Sequence, residues 1–168
     1  MKTVIVLAMH GAPPNEASQR EVTELVSLHR ALEHAPAFVR AVMERRYHNL
    51  DAKIRAWPRT AQNDPFWAGS QALAEHLRSA TGLKVIVGFN EFCAPALDDA
   101  LDQAARQADN VIVVTPMMTR GGEHSEVEIP DSIKRAQERH PAVMFKYAWP
   151  FDSIEVASFM AAQIARLA

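Results

Sequence analysis

The chain has 168 residues, 48% apolar and 23% charged, which suits one globular domain with a sizeable core and excludes a disordered or coiled-coil chain. A formal net charge of -2 argues against a nucleic-acid binder, and the lone cysteine, Cys93, rules out an intramolecular disulfide and fits a reducing, cytoplasmic setting. No apolar run approaches membrane-spanning length, so no membrane partner is expected.

In chain order, Lys2 to Met9 reads as a first strand, because Thr3, Val4, Ile5 and Val6 are β-formers inside an apolar run. His10-Gly11-Ala12-Pro13-Pro14 breaks it and leaves His10 at its carboxyl end. MKTVIVLAMHGAPP is thus a strand and its break rather than a secretory leader. Arg20 to Ala35 reads as a helix with the stripe Val22, Leu25, Val26, Leu28 and Leu32. Pro36 interrupts. A second helix then runs to about Trp57 on Phe38, Val39, Val42, Met43, Tyr47, Leu50 and Ile54, with arginines on its other faces. Pro58 to Pro65 is a linker, and Asp64 is a good N-cap for a third helix from Pro65 to near Gly82.

Leu83 to Phe89 is the second strand, and Asn90-Glu91-Phe92-Cys93-Ala94 is its carboxyl-end loop. Pro95 starts a helix to about Ala108. Val111, Ile112, Val113 and Val114 look like a strand buried on both faces. Pro116 ends it, and a loop with Gly121 and Gly122 delivers His124 among Glu123, Glu126 and Glu128. Pro130 opens a helix to His140, Ala142 to Tyr147 forms a fourth strand, and Asp152 or Ser153 caps a last helix to the C-terminus.

Strands alternating with helices imply a parallel sheet with right-handed crossovers. Four strands suggest a flavodoxin-like α/β three-layer sandwich of order 2-1-3-4. Connections leaving strands one and three then run in opposite directions, and a crevice opens at that switch point. The order brings His10 and His124 to one crevice, with Glu91 on the same edge.

Two imidazoles with nearby carboxylates suit iron, cobalt, nickel or zinc. A site with two protein ligands is open and weak, as befits an ion that is handed on. The same imidazoles can accept protons near neutral pH. The plain alternative is a pair of structural, hydrogen-bonded histidines. Neither GxxxxGK[ST] nor GxGxxG is present, which argues against nucleotide binding.

Three segments carry a family resemblance: VIVLAMHGA from Val4 to Ala12, GFNEFCAPALDDAL from Gly88 to Leu101, and VIVVTPMMTRGGEHSEVEIP from Val111 to Pro130. In this order and spacing they resemble the class II tetrapyrrole chelatases, in particular the short form of sirohydrochlorin cobaltochelatase (CbiX). The resemblance implies insertion of a divalent ion (Co2+, or Fe2+ or Ni2+) into sirohydrochlorin. It implies that His10 and His124 hold the ion and take the pyrrole protons, with Glu91 assisting. No organic cofactor is implied, and a homodimer is expected. Sirohydrochlorin is a polycarboxylate, and Arg120 is the first candidate for its carboxylates.

This chain departs from the family pattern at Ala12, where serine is usual, and at Glu128, where aspartate is usual. The largest departure is Glu16 to Asn63, two helices that the minimal form lacks. The expected architecture is therefore one chelatase-like domain over 1–168 with a helical insertion at about 16–63. The insertion could cap the crevice or build the dimer interface, for which Phe38, Val42 and Tyr47 are candidates.

Plainer roles stand beside these. Glu91 could cap the helix starting at Pro95. Cys93 reads as a small buried residue, and Met117-Met118 as core. His29, His34, His48, His76 and His140 read as surface residues, with His29 and His34 joining the site if the insertion folds over it. Arg40, Arg45, Arg46 and Arg55 form either a solvated face or contacts to substrate carboxylates. The alternative function is a non-catalytic metal or tetrapyrrole binder on the same fold. An FMN protein is a third reading, opposed by Pro13-Pro14 where a Ser/Thr-rich phosphate loop would stand.

Overall fold

The computed structural model describes residues 1–167. The apolar run at the start of the chain is an inner strand, β1 (Thr3–Met9), of a four-stranded parallel sheet. It lies between β2 (Lys84–Phe89) and β3 (Asn110–Val114), and β4 (Met144–Tyr147) pairs outside β3, giving the order β2-β1-β3-β4. That is the order expected from the alternation of strands and helices.

Side chains of β1 alternate between two cores, as the pleat requires. Val4, Val6 and Ala8 join Val111 and Val113 beneath α4 (Leu97–Ala105) and α5 (Ile129–Arg139). Ile5, Leu7 and Met9 join Val85, Val87 and Phe89 on the opposite face, under α3 (Pro65–Thr81). Asp64 caps α3 as expected, accepting from the Trp67 N–H at 2.8 Å. The next helix begins at Leu97 rather than Pro95. Residues 95 and 96 still belong to the sheet edge, for the Phe89 N–H donates to the Pro95 carbonyl at 3.0 Å and Ala96 bridges Phe89.

Between β1 and α3 stand α1 (Gln19–Glu33) and α2 (Ala37–Arg55), an antiparallel pair joined by Arg46–Glu24 and Lys53–Glu21 bridges. Their shared core is small: Leu25, Leu50 and Ile54 close over Phe92 of the loop after β2. The expected apolar stripe of α2 is only half used. Leu50 and Ile54 are buried, whereas Phe38 and Val42 are 86% and 73% exposed. Two helices alone share a narrow seam, and Phe92 reaches only its Arg55 end.

The last helix, α6 (Ser153–Ile164), is capped by Asp152, which accepts from the Ile154 N–H at 2.7 Å. The expected run to the C-terminus gives way to a turn after Ile164, and Ala168 lies outside the described residues. No helix of the described residues is long and apolar enough to cross a membrane.

Candidate metal centre

The β1–β2 ladder continues past the ends of both strands. The Asn90 N–H donates to the Met9 carbonyl at 2.9 Å, and the Glu91 N–H donates to the His10 carbonyl at 2.8 Å. These bonds fix His10 beside Glu91. Gly11 makes the approach possible: its φ is +97°, and a Cβ there would sit 1.9 Å from the Glu91 carbonyl oxygen.

Each histidine has one ring nitrogen committed. His10 Nδ1 lies 2.7 Å from the Gly11 carbonyl oxygen. A carbonyl can only accept, so Nδ1 carries the proton and Nε2 of the neutral ring keeps its lone pair. That Nε2 faces Glu91 Oε2 at 3.9 Å. His124 Nδ1 lies 2.7 Å from Glu128 Oε2, which also accepts from Asn90 Nδ2 at 3.2 Å. A carboxylate behind an imidazole holds the ring in orientation and raises its basicity as a ligand.

His124 does not sit in a glycine loop as expected. His124–Glu128 is a π-helical turn that runs directly into α5, so the i,i+4 spacing of His124 and Glu128 places them on one face. The Tyr147 hydroxyl of β4 braces this turn by donating to the Ser125 carbonyl at 3.1 Å. Burial pushes the Tyr147 phenol up to about 12.

The two imidazole rings meet edge to face, with centroids 4.3 Å apart and planes at 82°. His10, Glu91 and His124 each offer one ligand atom, and all three atoms lie within 4.8 Å of one another. An ion bound at roughly 2.0–2.2 Å from each would draw them together by small side-chain movements. Glu91 faces His10 rather than the start of α4, whose N-cap is Ala96.

Above the three residues is a cleft of about 270 Å³, and its opposite wall is Val26, His29 and Arg30 of α1. His29 thus reaches the site from the helical pair, as the sequence allowed. Arg30 was not singled out from the sequence. It lines the cleft and has no hydrogen-bond or ion-pair partner among the described residues. The antiparallel packing of α1 on α2 sets it on the cleft wall, where it stays exposed, and no local motif marks that.

Arg120 lies elsewhere. Its Nε donates to Glu126 Oε1 at 3.0 Å, its guanidinium sits 5.2 Å from the Trp149 ring centroid, and it does not line the cleft. The Gly121 N–H, with Arg120 behind it, holds the exposed Glu126 carboxyl below the usual range.

Arg55 does not form part of a solvated face. It donates to the carbonyls of Asn90 and Cys93 at 2.7 Å each while paired with Asp51. Arg46 pairs with Glu24 between the helices, and Arg40 caps the Ala35 carbonyl at 3.1 Å. Arg59, from the stretch read as a linker, is buried and pairs with Asp64 at 2.6 Å while donating to the carbonyls of Ala12, Ile54 and Phe92. Cys93 is fully buried, and burial pushes its thiol up, which suits the inert role expected of it.

A family model described as CbiX matches residues 66–166. The match includes Glu91 and His124 and excludes His10, α1 and α2. A sirohydrochlorin cobaltochelatase of Priestia megaterium is 33% identical over 69 residues, which are 41% of this chain and 22% of that protein. The chain therefore spans less than a quarter of that relative's length.

Among solved structures, one described as a cobalamin (vitamin B12) biosynthesis CbiX protein from Marinobacter aquaeolei VT8 is 15% identical, with a TM-score of 0.52 over 98% of each chain. That is a likeness of fold along the whole length. The sirohydrochlorin chelatase SirB from Bacillus subtilis subspecies spizizenii, in complex with cobalt, is 18% identical over 89% of this chain and 44% of that one, with a TM-score of 0.44. The family match spans more than half of the 168 residues, and the chain belongs to the CbiX family.

Proposed function

We propose that the chain is a chelatase that inserts a divalent ion into sirohydrochlorin, with Co2+ as the first candidate and Fe2+ or Ni2+ as the others. The observation that carries this reading is the convergence of His10, Glu91 and His124 at the switch-point edge. Imidazole and carboxylate are a donor set for borderline divalent ions, and three open ligands hold such an ion without enclosing it.

The chemistry follows from the two committed ring nitrogens. His10 Nε2 and His124 Nε2 offer lone pairs to the incoming ion, and Glu91 adds one carboxylate oxygen. Insertion exchanges the ion for the two pyrrole N–H protons of the macrocycle. As the ion leaves the protein, the lone pairs that held it become free to accept those two protons. Holding the ion and removing the protons are thus successive duties of the same nitrogens. No organic cofactor enters this exchange.

The substrate's carboxylates call for cations. We assign the first such contact to Arg30, which lines the cleft and has no partner among the described residues. Arg120 would have to leave Glu126 to serve as a second. We further take residues 16–63 to be a helical insertion in a single domain, the assembly to be a homodimer and the setting to be cytoplasmic, which suits a free buried cysteine. A second reading, a metal carrier that performs no insertion, draws support from the small cleft, which admits an ion more readily than a macrocycle.

The test is absorbance of sirohydrochlorin with the protein and Co2+, Fe2+ or Ni2+. The tetrapyrrole bands should shift to the metallated form, and His10→Ala or His124→Ala should slow the shift by about 100-fold or more, the scale of losing general acid–base groups. Unchanged bands with tight Co2+ binding would favour the carrier. Full activity in both variants would remove the assigned site.

A further inference from the structure

His10, Glu91 and His124 converge from the sheet edge, and a third imidazole faces them from α1. His29 lines the cleft of about 270 Å³ together with all three. It also lines a second cavity beneath the helical pair, of about 20 Å³, room for about one water molecule. Tyr47, Asp51, Glu91 and Phe92 share the wall of that smaller cavity. His29 and Glu91 border both spaces, so with Val26 they form the partition between them. The imidazole of His29 is thus a near neighbour of the Glu91 carboxylate.

His29 differs from the other two histidines in what its nitrogens do. His10 and His124 each commit Nδ1 to an oxygen, which leaves one nitrogen for an ion. Neither ring nitrogen of His29 has a hydrogen bond among the described residues. Its ring lies instead against the half-buried Tyr47 of α2, with centroids 5.7 Å apart and planes at 35°. Glu91 is uncommitted too, with His10 Nε2 at 3.9 Å and no shorter side-chain partner among the described residues. A solvated surface histidine is the plain reading of an exposed side chain. It does not account for a ring propped on Tyr47 in the wall that faces the donors.

We propose that His29 is a fourth, detachable ligand of the ion. With α1 closed over the site it binds the ion from the side opposite His10 and His124, and it leaves with α1 when the tetrapyrrole enters. The inference rests on the reading of His10, Glu91 and His124 as the ion's ligands.

The helix supplies what the sheet edge lacks. Three donors leave the ion open on one side. A fourth protein donor fills a tetrahedral set and closes the site, whereas a site that passes its ion on needs that position open. A ligand mounted on α1 does both in turn. Lifting α1 breaks the bond between the ion and the His29 nitrogen, whose lone pair stays on the ring, and a pyrrole nitrogen takes the position. One ion–nitrogen bond replaces another, the ion keeps its oxidation state, and the pyrrole proton goes to His10 or His124. The ion is thereby held until the macrocycle arrives. Glu123 lines the same cleft but belongs to the turn that carries His124, so it cannot depart with α1.

The experiment uses the full chain and Co2+ alone. His29→Phe keeps an aromatic ring beside Tyr47 and removes the nitrogens. It should leave the metal-free melting temperature unchanged. It should weaken Co2+ binding by about tenfold or more, at least the scale of losing an outer partner of a ligand, and speed the loss of bound Co2+ to EDTA by a similar factor. The visible bands of bound Co2+, intense for four protein donors, should shift and weaken in the variant. His10→Ala and His124→Ala separate this inference from the site it extends. If they lose Co2+ while His29→Phe binds, releases and absorbs as the wild type does, His29 is no ligand and the three-residue site stands. If none of the three substitutions alters Co2+ binding, the site falls and His29 with it. Insertion into sirohydrochlorin at saturating Co2+ tests the detachment. His29→Phe should insert at the wild-type rate or faster, since the bond it lacks must break before transfer. Slower insertion at saturation would overturn the detachment. No insertion by the wild type would overturn both the detachment and the chelatase reading, with Co2+ binding and release still deciding whether His29 is a ligand.

Discussion

Gly11 decides whether His10 and Glu91 can face each other. Its missing Cβ lets two loops cross where a methyl would stand 1.9 Å from the Glu91 carbonyl oxygen, which is backbone and cannot swing aside. Gly11→Ala is therefore expected to lower both the melting temperature and the affinity for Co2+. Gly121→Ala has a similar φ of +88° but open space around it, and should cost only about 1–2 kcal/mol while leaving metal binding intact. Calorimetric titration with Co2+ beside thermal melts separates the two, and equal effects would deny Gly11 its special place. Tyr147 makes a second prediction at this scale. Its hydroxyl donates to the Ser125 carbonyl, and burial raises the phenol from its ordinary 10 to about 12. The folded state thus prefers the neutral phenol. The stability it contributes is complete below about pH 10 and is lost as pH rises through about 12. Burial pushes Tyr47 up as well, so the near-UV phenolate band of neither tyrosine should appear near pH 10 while the protein is folded. An ordinary titration in the native protein would show the turn that carries His124 to be loosely held.

The helical pair α1–α2 is fastened at one end. Arg55 and Arg59 donate to the carbonyls of the loop after β2, and Asp64 answers Arg59 from the cap of α3. The Arg59–Asp64 pair is almost fully buried, so Arg59→Ala strands a carboxylate and should cost about 3–5 kcal/mol. Adding Asp64→Asn, which keeps a capping side chain, should recover part of that loss. Chemical denaturation of the single and double variants measures the coupling, and additive losses would mean the two do not act as a pair. This fastening was not legible in the sequence, whereas the sheet was. Runs such as Val111 to Val114 announce a buried strand by composition, and alternation with helices fixes the order. His10 and Glu91 were legible because strand ends are set by breakers such as Gly11. Arg55 and Arg59 were not, since an arginine that caps distant carbonyls looks like any arginine on a polar face. The π-helical turn at His124 was missed for a similar reason: Gly121-Gly122 signals a loop, and only the packing of Ser125 and Ile129 carries the helix back to His124. The exposure of α6 was also hidden, because an apolar capped helix reads as one that packs on its own chain.

At the scale of the whole molecule, the placement of α1 over the candidate metal site would set the order of events in the proposed reaction. The cleft holds about 270 Å³, below the roughly 300–1,000 Å³ of ordinary small-molecule sites, and a tetrapyrrole belongs near the upper end of that range. That volume suits an ion with α1 as it stands, and the proposed tetrapyrrole would require α1 to move. What holds the pair down lies at its foot: Arg55 and Arg59 on the loop carbonyls, with Leu25, Leu50 and Ile54 over Phe92. Among the described residues no hydrogen bond or ion pair ties the side chains of Val26, His29 and Arg30 to the site they wall, and only the packing of Val26 on the small core and of His29 beside Tyr47 holds them. The pair should therefore swing about its foot, lifting α1 while the Arg55 end of α2 stays put. Hydrogen exchange reads this directly. Co2+ alone should leave the exchange of α1 amides unchanged or slower, whereas sirohydrochlorin should accelerate α1 between Val26 and Leu32 and leave Leu50 to Arg55 protected. Arg30→Glu should then weaken sirohydrochlorin binding by about tenfold or more, the loss of one charge-assisted contact, with Co2+ affinity little changed. If α1 stays protected while sirohydrochlorin is bound, the macrocycle does not enter beneath it, and its seat lies on the other side of His124.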